Sequence, residues 1–392
     1  MYVEIGLAGR WMGLLGKPEF RDVAVEPTVS VFIPVYEGSD LLEPLLEELT
    51  GDNCEGVEIF VVIDKPNGES LRVVERFRGR VHFLLNGERR GKVEALSSAV
   101  KLSKGELLVF LDADVVVGDG ADFFRFVREA LAEADIVDLK KKILPDSFIS
   151  RMVNYEYVGS NFASYLFSRL VGRCIGIGGT AFAIKRESFE EVGGFSKVVS
   201  EDLDLAFKTL LKNKRFKYEG RVEIYTRAPS TWKGWLKQRK RWGIGTGLWI
   251  KENWKKLVRH IAKYPHVAFP CAVMIFPTVA PLLLGYMCFP LLELQFQKLV
   301  PAVLAAQLNI QVPEVVSSSL LSAIFMGLTN FLFGFFAFST IFYAISKKFG
   351  FRFNIAEFLI YYFVYQPIAT MVLFVGILRA FIFQNHELDW KV

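Results

Sequence analysis

The chain has 392 residues, of which 52% are hydrophobic, and it carries a formal net charge of +5. This composition excludes a disordered chain, and the length accommodates one large or two medium domains. The excess of basic residues flanks apolar runs in the second half, which fits an anionic membrane face or nucleotide phosphates. We expect no nucleic-acid partner, because the basic residues are concentrated around the membrane boundary.

The first 28 residues precede any regular alternation of apolar and polar segments. Residues 1–20 lack a continuous apolar core and contain Glu4, Arg10 and Lys17, so no signal peptide is expected. The apolar residues Trp11, Met12, Leu14 and Leu15 are consistent with a short helical turn lying on a surface. We therefore predict an N-terminal interfacial segment over residues 1–28.

From residue 29 onward, short β-branched and aromatic runs alternate with amphipathic segments. This alternation predicts a Rossmann-like α/β domain with a mostly parallel sheet over residues 29–228. Ligands bind beyond the carboxyl ends of strands in such sheets, and Asp64 and Asp112 fall at two of these ends. The predicted strands are Val29–Pro34, Glu58–Ile63, Val81–Leu85 and Leu107–Leu111, and the predicted helices are Leu41–Leu49, Val93–Leu102 and Leu203–Leu211.

The triplet Asp112-Ala113-Asp114 follows the fourth predicted strand. Alternate residues of an extended segment point the same way, so the two carboxylates could face one divalent cation. Aspartates after strands also cap helices and start turns. The triplet considered by itself is compatible with this structural role as well as with a metal site.

The segment from Asn86 to Lys92 follows the third predicted strand and contains Gly87 and Gly91. Glycines permit close approach of the backbone, and a lysine at a helix start can reach a pyrophosphate. The alternative is a solvated turn. Similarly, Glu201 and Asp202 are either reactive carboxylates or the acidic first turn of the helix Leu203–Leu211.

Tryptophans and cations are interleaved between residues 232 and 254. Amphipathic rings beside basic residues are expected of helices at a membrane interface, so residues 229–264 are predicted to form interfacial helices. Trp242 has a second possible role, because an aromatic face also stacks against a sugar. The other four, Trp232, Trp235, Trp249 and Trp254, are interpreted as membrane anchors.

Residues 265–392 are predicted to form a membrane domain with about three spans of the ~30 Å hydrocarbon layer. Pro367 predicts that the third run is a flat helix to about Tyr365 followed by one short span. Basic residues before the first run and after the second place the α/β domain in the cytoplasm of a multi-pass cell-membrane protein. The predicted spans are 266–292, 315–345 and 355–383.

Several short motifs occur in a fixed order, and they cover the chain from about Val29 to Trp242. In this order the chain resembles family 2 inverting glycosyltransferases of the GT-A fold. The resemblance is to the membrane-integrated branch that includes cellulose, chitin and hyaluronan synthases and ceramide glucosyltransferase. The motifs are Pro34–Glu37, Asp64, Gly91-Lys92, Asp112–Asp114, Gly178–Thr180, Ser200–Asp202 and Gln238–Trp242.

The resemblance implies a nucleotide-sugar site and a divalent cation, Mg²⁺ or Mn²⁺. Asp114 would ligate this cation, and Asp112 would contact both the cation and the nucleotide. The remaining residues that would bind a UDP-sugar are Tyr36, Glu37, Asp64, Lys92, Gln238 and Arg241.

The resemblance also implies that Asp202 is the catalytic base that deprotonates the acceptor hydroxyl. This chain has Ser200 where the family triplet begins with threonine, and its acceptor loop lacks the Phe-x-Cys-Gly-like sequence common in cellulose synthases. That acceptor preference is therefore not transferred. The acceptor-binding residues by position are Gly179, Thr180, Glu201 and Trp242.

The implied activity is inverting transfer of a hexose or N-acetylhexosamine from a UDP-sugar to a growing glycan, with a β-linkage formed. The Gln-x-x-Arg-Trp motif favours a polysaccharide synthase, whereas the small number of spans favours single transfer to a lipid acceptor. The expected partners are the UDP-sugar, a glycan or lipid-linked acceptor and membrane lipids, and oligomerisation is possible. A nucleotide-sugar-binding protein without catalysis is the remaining alternative.

Overall fold

The computed structural model describes residues 26–51, 55–118, 122–275 and 320–383. Strands and helices alternate from β1 to β4, as the sequence pattern predicts. The strands are β1 Val29–Tyr36, β2 Val57–Asp64, β3 His82–Asn86, β4 Leu107–Leu111, β5 Val115–Gly118, β6 Ile136–Ile143, β7 Ala181–Lys185 and β8 Phe216–Thr226. The helices are α1 Leu42–Leu49, α2 Gly68–Arg76, α3 Lys92–Leu102, α4 Phe123–Glu133, α5 Phe148–Leu166, α6 Arg186–Glu191, α7 Glu201–Leu211, α8 Trp232–Lys263, α9 Ala268–Ile275, α10 Leu320–Lys348 and α11 Ile355–Ile382.

The strands form one sheet in the order β3-β2-β1-β4-β7-β6-β8-β5. β1 pairs in parallel with β2 and β4, and β2 with β3, which confirms the predicted parallel arrangement of the first four strands. β7 is antiparallel to β4 and β6, and β5 is antiparallel to β8. The sheet as a whole is therefore mixed, and the expectation of a mostly parallel sheet holds for its first half.

A row of aromatic rings crosses five strands and fixes their register. Phe60, Phe32, Phe110 and Phe182 occupy paired positions, and their successive ring centroids lie 5.7, 5.1 and 4.9 Å apart. His82 extends the row to β3, with its ring 4.8 Å from that of Phe60. Because a slip of one residue would turn every ring to the other face, the row aligns the carboxyl ends of β1 to β4 with the amino end of the antiparallel β7. Those ends carry the candidate site.

Small residues allow α8 to lie directly against α11. A Cβ added at Gly243 would lie 2.7 Å from the carbonyl oxygen of Leu373 and 2.9 Å from the Cα of Gly376. A Cβ added at Gly247 would lie 2.7 Å from the Cβ of Ala380. These glycines are one helical turn apart and form a continuous contact strip. The helix carrying the Gln-x-x-Arg-Trp motif is thereby fixed against the last apolar helix.

Within the described ranges, one helix, Ile355–Ile382, is long and apolar enough to cross a membrane. The helix is not broken near Tyr365, contrary to the predicted flat helix followed by a short span: a π-helical turn, Tyr361–Tyr365, lies two residues before Pro367, and the helix continues through both. The second predicted span corresponds to α10. The first lies outside the described residues beyond Ile275, and the number of spans stays a prediction.

Candidate active site

Asp64, at the end of β2, organises the loop that follows β3. Its Oδ2 accepts hydrogen bonds from the backbone N–H groups of Arg90 at 2.8 Å and Gly91 at 2.9 Å, and its Oδ1 accepts one from Asn86 Nδ2 at 2.9 Å. Gly91 has a φ of +100°, a conformation that favours glycine, and it begins α3. The loop therefore directs Lys92 toward the carboxyl end of β4. A contact between Asp64 and a nucleotide stays a prediction.

Tyr36 and Glu37 lie at the end of β1, beside the Asp64 loop. Tyr36 is 45% exposed, and the Arg89 guanidinium carbon lies 4.5 Å from its ring centroid. The backbone N–H of Glu37 donates to the carbonyl of Asp64 at 2.8 Å, and Glu37 has a φ of +62°. A stacked and exposed ring at a strand end is suited to contact with a nucleobase, and this role also stays a prediction.

Lys92 contacts three other residues that the sequence assigned to the site. Its Nζ lies 2.8 Å from Asp112 Oδ1 and 3.2 Å from Glu201 Oε1, and it donates to the carbonyl of Gly179 at 3.3 Å. Burial disfavours the ammonium form, but the carboxylates of Asp112 and Glu201 outweigh this effect and raise the pKa of Lys92. Lys92 is thus a fixed positive charge between β4 and α7.

Asp112 and Asp114 lie in a turn between β4 and β5, so the predicted extended geometry is wrong for this triplet. The turn forms because Ser39 Oγ donates to the carbonyl of Ala113 at 2.7 Å and the backbone N–H of Asp112 donates to the carbonyl of Thr180 at 2.9 Å. Desolvation and the nearby Asp112 carboxylate raise the pKa of Asp114 to about 6. Binding of one divalent cation by the two carboxylates stays a prediction.

Asp202 lies in the first turn of α7 and is oriented by backbone donors. The N–H of Gly179 donates to its Oδ2 at 2.8 Å, and the N–H of Leu203 donates to its Oδ1 at 2.7 Å. Burial raises the pKa of Asp202 to about 6, the Glu201 carboxylate adds to the rise and Lys92 opposes it. A carboxylate with a pKa near neutrality is suited to act as a general base.

A cavity of about 560 Å³ lies between the sheet end, α5, α8 and α11. Trp242, on α8, is 37% exposed and contributes to its wall. The cavity is large enough for a sugar with part of a nucleotide, which bind in clefts of this size. Its lining includes the predicted residues Lys92, Asp112, Asp114, Gly179, Thr180, Glu201, Asp202, Gln238, Arg241 and Trp242.

The same cavity is lined by residues that sequence reasoning missed. Glu156 and Tyr157 reach it from α5, and Arg239 reaches it from α8. Arg239 forms a close ion pair with Glu156, and its guanidinium carbon lies 4.3 Å from a ring centroid of Trp242. Arg239 is 4% exposed, so it faces the interior and is not one of the cations at a lipid surface. A lone glutamate in the apolar stretch Tyr155–Val158 was the available signal for Glu156.

Two of the four tryptophans interpreted as membrane anchors are buried, and for these the interpretation is wrong. Trp235 is 1% exposed, and its indole N–H donates to the hydroxyl of Tyr365 at 2.6 Å. Trp249 is 5% exposed and packs edge-on against Phe207 at 5.0 Å. Both face protein because α8 packs between the catalytic domain and α11. Trp232 and Trp254 are exposed, as an anchor requires.

The carboxylate oxygens at the end of β4 are suited to a divalent cation that also binds phosphate. In the described part of the chain, no group of three or more His, Cys, Asp or Glu side chains is placed to hold a metal ion. Asp112 and Asp114 supply hard oxygen ligands. The pKa of Asp114 is raised by desolvation and then by the neighbouring Asp112 carboxylate, whose charge a cation would neutralise. Mg²⁺ and Mn²⁺ suit such oxygen ligands, and Mg²⁺ commonly binds one or two carboxylates together with substrate phosphates.

Comparison with known proteins agrees with this geometry. Residues 107–382 match the model of glycosyl transferase family group 2. The poly-β-1,6-N-acetyl-D-glucosamine synthase of Staphylococcus epidermidis is 24% identical over 267 residues, which are 65% of this chain and 64% of that protein. A probable glycosyltransferase of Bacillus subtilis, YdaM, is 24% identical over 241 residues, or 58% of this chain and 57% of that protein. The chain thus matches less than two thirds of the length of these relatives.

Among solved structures, the mannosyltransferase of Pyrobaculum calidifontis in complex with GDP-Man and Mn²⁺ superposes with a TM-score of 0.52. The two chains are 18% identical, and the match covers 92% of this chain and 89% of that one. The likeness confirms the α/β glycosyltransferase fold. The family model matches most of the chain, and motif residues from Lys92 to Trp242 line one cavity, so the chain belongs to glycosyl transferase family group 2.

Proposed function

We propose that this protein is a membrane-bound, inverting transferase that moves an N-acetylhexosamine or hexose from a UDP-sugar to a growing glycan and forms a β-linkage. The observation that carries the proposal is the position of Asp202. Its carboxylate is held by the N–H of Gly179 in the wall of the cavity that also receives Asp114, Arg241 and Trp242. A base, a diphosphate-binding region and an aromatic face for a sugar therefore share one cavity.

Asp202 acts as the general base. Its carboxylate takes the proton of the acceptor hydroxyl as that oxygen attacks the anomeric carbon from the face opposite the nucleotide. The new glycosidic bond forms while the bond from the anomeric carbon to the phosphate oxygen breaks. One such displacement inverts the configuration, so an α-linked donor gives a β-linked product.

The departing nucleotide diphosphate carries away negative charge. Arg241 is the cation on α8 that we assign to this charge, with Gln238 beside it in the cavity wall. Asp112 and Asp114 would hold Mg²⁺ or Mn²⁺, which supplies charge stabilisation to the diphosphate when bound. Lys92 keeps Asp112 and Glu201 in place through its two ion pairs, so the acidic residues stay close together despite their mutual repulsion.

The acceptor approaches from the side of α5 and α8. Gly179 and Thr180 form the loop beside the base, Glu201 precedes it in sequence, and Trp242 supplies an aromatic face. A growing glycan is our first choice of acceptor, supported by relatives named poly-β-1,6-N-acetyl-D-glucosamine synthases. Transfer of a single sugar to a lipid is the alternative, favoured by the small number of predicted spans.

We place the catalytic domain in the cytoplasm, with the chain held in the cell membrane by its C-terminal helices. Support comes from the apolar helix Ile355–Ile382 and from Lys347 and Lys348 in the last turn of α10. The exposed large apolar side chains of Phe374, Leu378 and Phe381 on α11 are suited to contact with lipid. Oligomerisation is compatible with this arrangement.

Product analysis with membranes and radiolabelled sugar nucleotides tests the proposal. UDP-N-acetylglucosamine, UDP-glucose and GDP-mannose are supplied separately with Mn²⁺, and products are separated by size and by solubility in organic solvent. The proposal predicts a ladder of β-linked oligomers from a UDP-sugar. A product with one sugar per lipid would contradict transfer to a growing glycan and support single transfer to a lipid. Label incorporation from GDP-mannose alone would contradict the UDP-sugar assignment.

A further inference from the structure

A second group of cations lies where α8 ends, and it is built around one tyrosine. The ring centroid of Tyr264 lies 4.9 Å from that of His260 and 6.1 Å from that of His266. The Nζ of Lys263 lies 5.3 Å from the same ring, and the guanidinium carbon of Arg173 lies 5.8 Å from it. Arg173 comes from the loop after α5, so distant parts of the chain converge here. We call these four residues and Tyr264 the Tyr264 cluster.

The Tyr264 cluster brings four basic side chains to one tyrosine. Within the residues that the structure describes, none of its four basic members forms a salt bridge, whereas Arg221 on β8 pairs with both Glu129 and Glu219. Burial lowers the pKa of His260, and the positive groups of Arg173, Lys263 and His266 lower it further. These groups therefore repel one another, and an anion placed among them would remove the repulsion.

Exposed apolar side chains precede and follow the Tyr264 cluster along the chain. Val258 is 58% exposed and Trp254, one turn earlier on α8, is 50% exposed. Phe269, three residues after His266, is 59% exposed. Lys255 and Arg259 are exposed beside this apolar strip. Tryptophan and aliphatic side chains next to unpaired cations are characteristic of surfaces that enter the headgroup region of a bilayer.

We propose that Arg173, His260, Lys263 and His266 bind the phosphate group of an anionic membrane lipid, while Trp254, Val258 and Phe269 contact its acyl chains. The inference rests on the membrane location proposed above. The apolar strip favours a lipid over a free phosphate, which has no apolar part to bury. The Tyr264 cluster is separate from the donor site, because its residues are not among those lining the catalytic cavity.

Retention of lipid by the purified full-length protein tests this site directly. The protein is reconstituted in nanodiscs that contain phosphatidylcholine with phosphatidylglycerol, released, and examined by native mass spectrometry for bound lipid. The double variant Arg173→Gln, Lys263→Gln is compared with Lys101→Gln, Lys212→Gln, which removes two exposed cations from the catalytic domain. The variant Arg173→Lys, Lys263→Arg keeps both positive charges but changes the shapes of the side chains. It therefore distinguishes an effect of charge from an effect of packing.

We expect the Arg173→Gln, Lys263→Gln protein to retain phosphatidylglycerol at least roughly tenfold less than wild type, since each cation near an anionic surface contributes substantially to binding. The surface control and the charge-preserving variant should retain it normally. Equal retention by the Arg173→Gln, Lys263→Gln variant would overturn the proposal, as would equal retention of phosphatidylcholine, or full displacement by inorganic phosphate. Retention is measured without turnover, so a failure of the proposed sugar transfer would not produce any of these results.

Discussion

The backbone N–H of Gly179 donates a hydrogen bond to Asp202 Oδ2 at 2.8 Å, and a Cβ added at Gly179 would lie 2.6 Å from the same oxygen. One residue therefore both orients the proposed base and must lack a side chain. The family resemblance placed Gly178–Thr180 in the acceptor region. Its structural role is to hold the carboxylate at the start of α7 in a fixed position.

Gly179→Ala should reduce turnover by roughly 10- to 100-fold while leaving donor binding near normal, because displacement of a reacting group by about 1 Å has effects of this size. UDP release under saturating donor and calorimetric titration of the donor measure the two quantities. Gly68→Ala is the matched control, since a Cβ there meets nothing within 4 Å. Turnover of Gly179→Ala at the wild-type rate would show that the loop does not position Asp202.

The pH dependence of kcat/KM should have an acid limb near pH 6. Asp202 must be ionised to accept a proton, and burial raises its pKa to about 6, so activity is retained above that pH. Below it, the rate should fall about tenfold per pH unit as the base becomes protonated. Rates are measured at saturating Mn²⁺, so that protonation of Asp114 does not contribute. A profile that stays flat down to about pH 4.5 would assign the base elsewhere.

Asp114→Ala should abolish the dependence of donor binding on Mn²⁺. The carboxylate of Asp114 is exposed in the cavity, and with Asp112 it provides the hard oxygen ligands proposed for the cation. Titration of UDP with and without Mn²⁺ measures the coupling, and Asp146→Ala, at an exposed loop position, serves as the control. Undiminished UDP affinity of Asp114→Ala in Mn²⁺ would show that the metal assignment is wrong.

Gly243→Ala should lower the thermal stability of the protein by about 1–3 kcal/mol, because its Cβ would meet the backbone of α11 at 2.7 Å. Gly159→Ala is the matched helical control, since a Cβ at that position of α5 meets nothing within 4 Å and alanine favours a helix. Thermal unfolding in one detergent measures both variants. If Gly243→Ala and Gly159→Ala change the thermal stability equally, the close contact between α8 and α11 does not stabilise the fold.

The local sequence pattern was sufficient to predict β1 to β4, the half of the sheet that carries Asp64 and Asp112 at its strand ends. β1, β2 and β4 are mostly apolar runs that end at, or one residue before, a polar residue, and such runs indicate buried strands from local sequence alone. The carboxyl ends of parallel strands meet at one edge, so Asp64 and Asp112 were predicted to lie together. The antiparallel pairing of β7 with β4 was not predicted, because no turn or spacing in the sequence specifies it.

The residues that sequence reasoning missed are those whose environment is created by packing between distant segments. Arg239 lies in a basic, tryptophan-rich stretch and resembles its exposed neighbours. In the fold it is buried and forms an ion pair with Glu156 on α5. Trp235 is buried because Tyr365, on a helix far along the chain, offers its hydroxyl to the indole N–H. Amphipathic side chains suit both an interface and a core, so composition alone could not separate these outcomes.

Substitution of the proposed base tests the central claim most directly. UDP release from the identified donor and donor affinity are measured for the wild type, for Asp202→Asn and for Asp204→Asn, a control in the same turn of α7. We expect Asp202→Asn to lose turnover by about 10²- to 10⁴-fold with donor affinity retained, as removal of a general base requires. Wild-type turnover by Asp202→Asn would contradict the assignment of Asp202 as the base of sugar transfer.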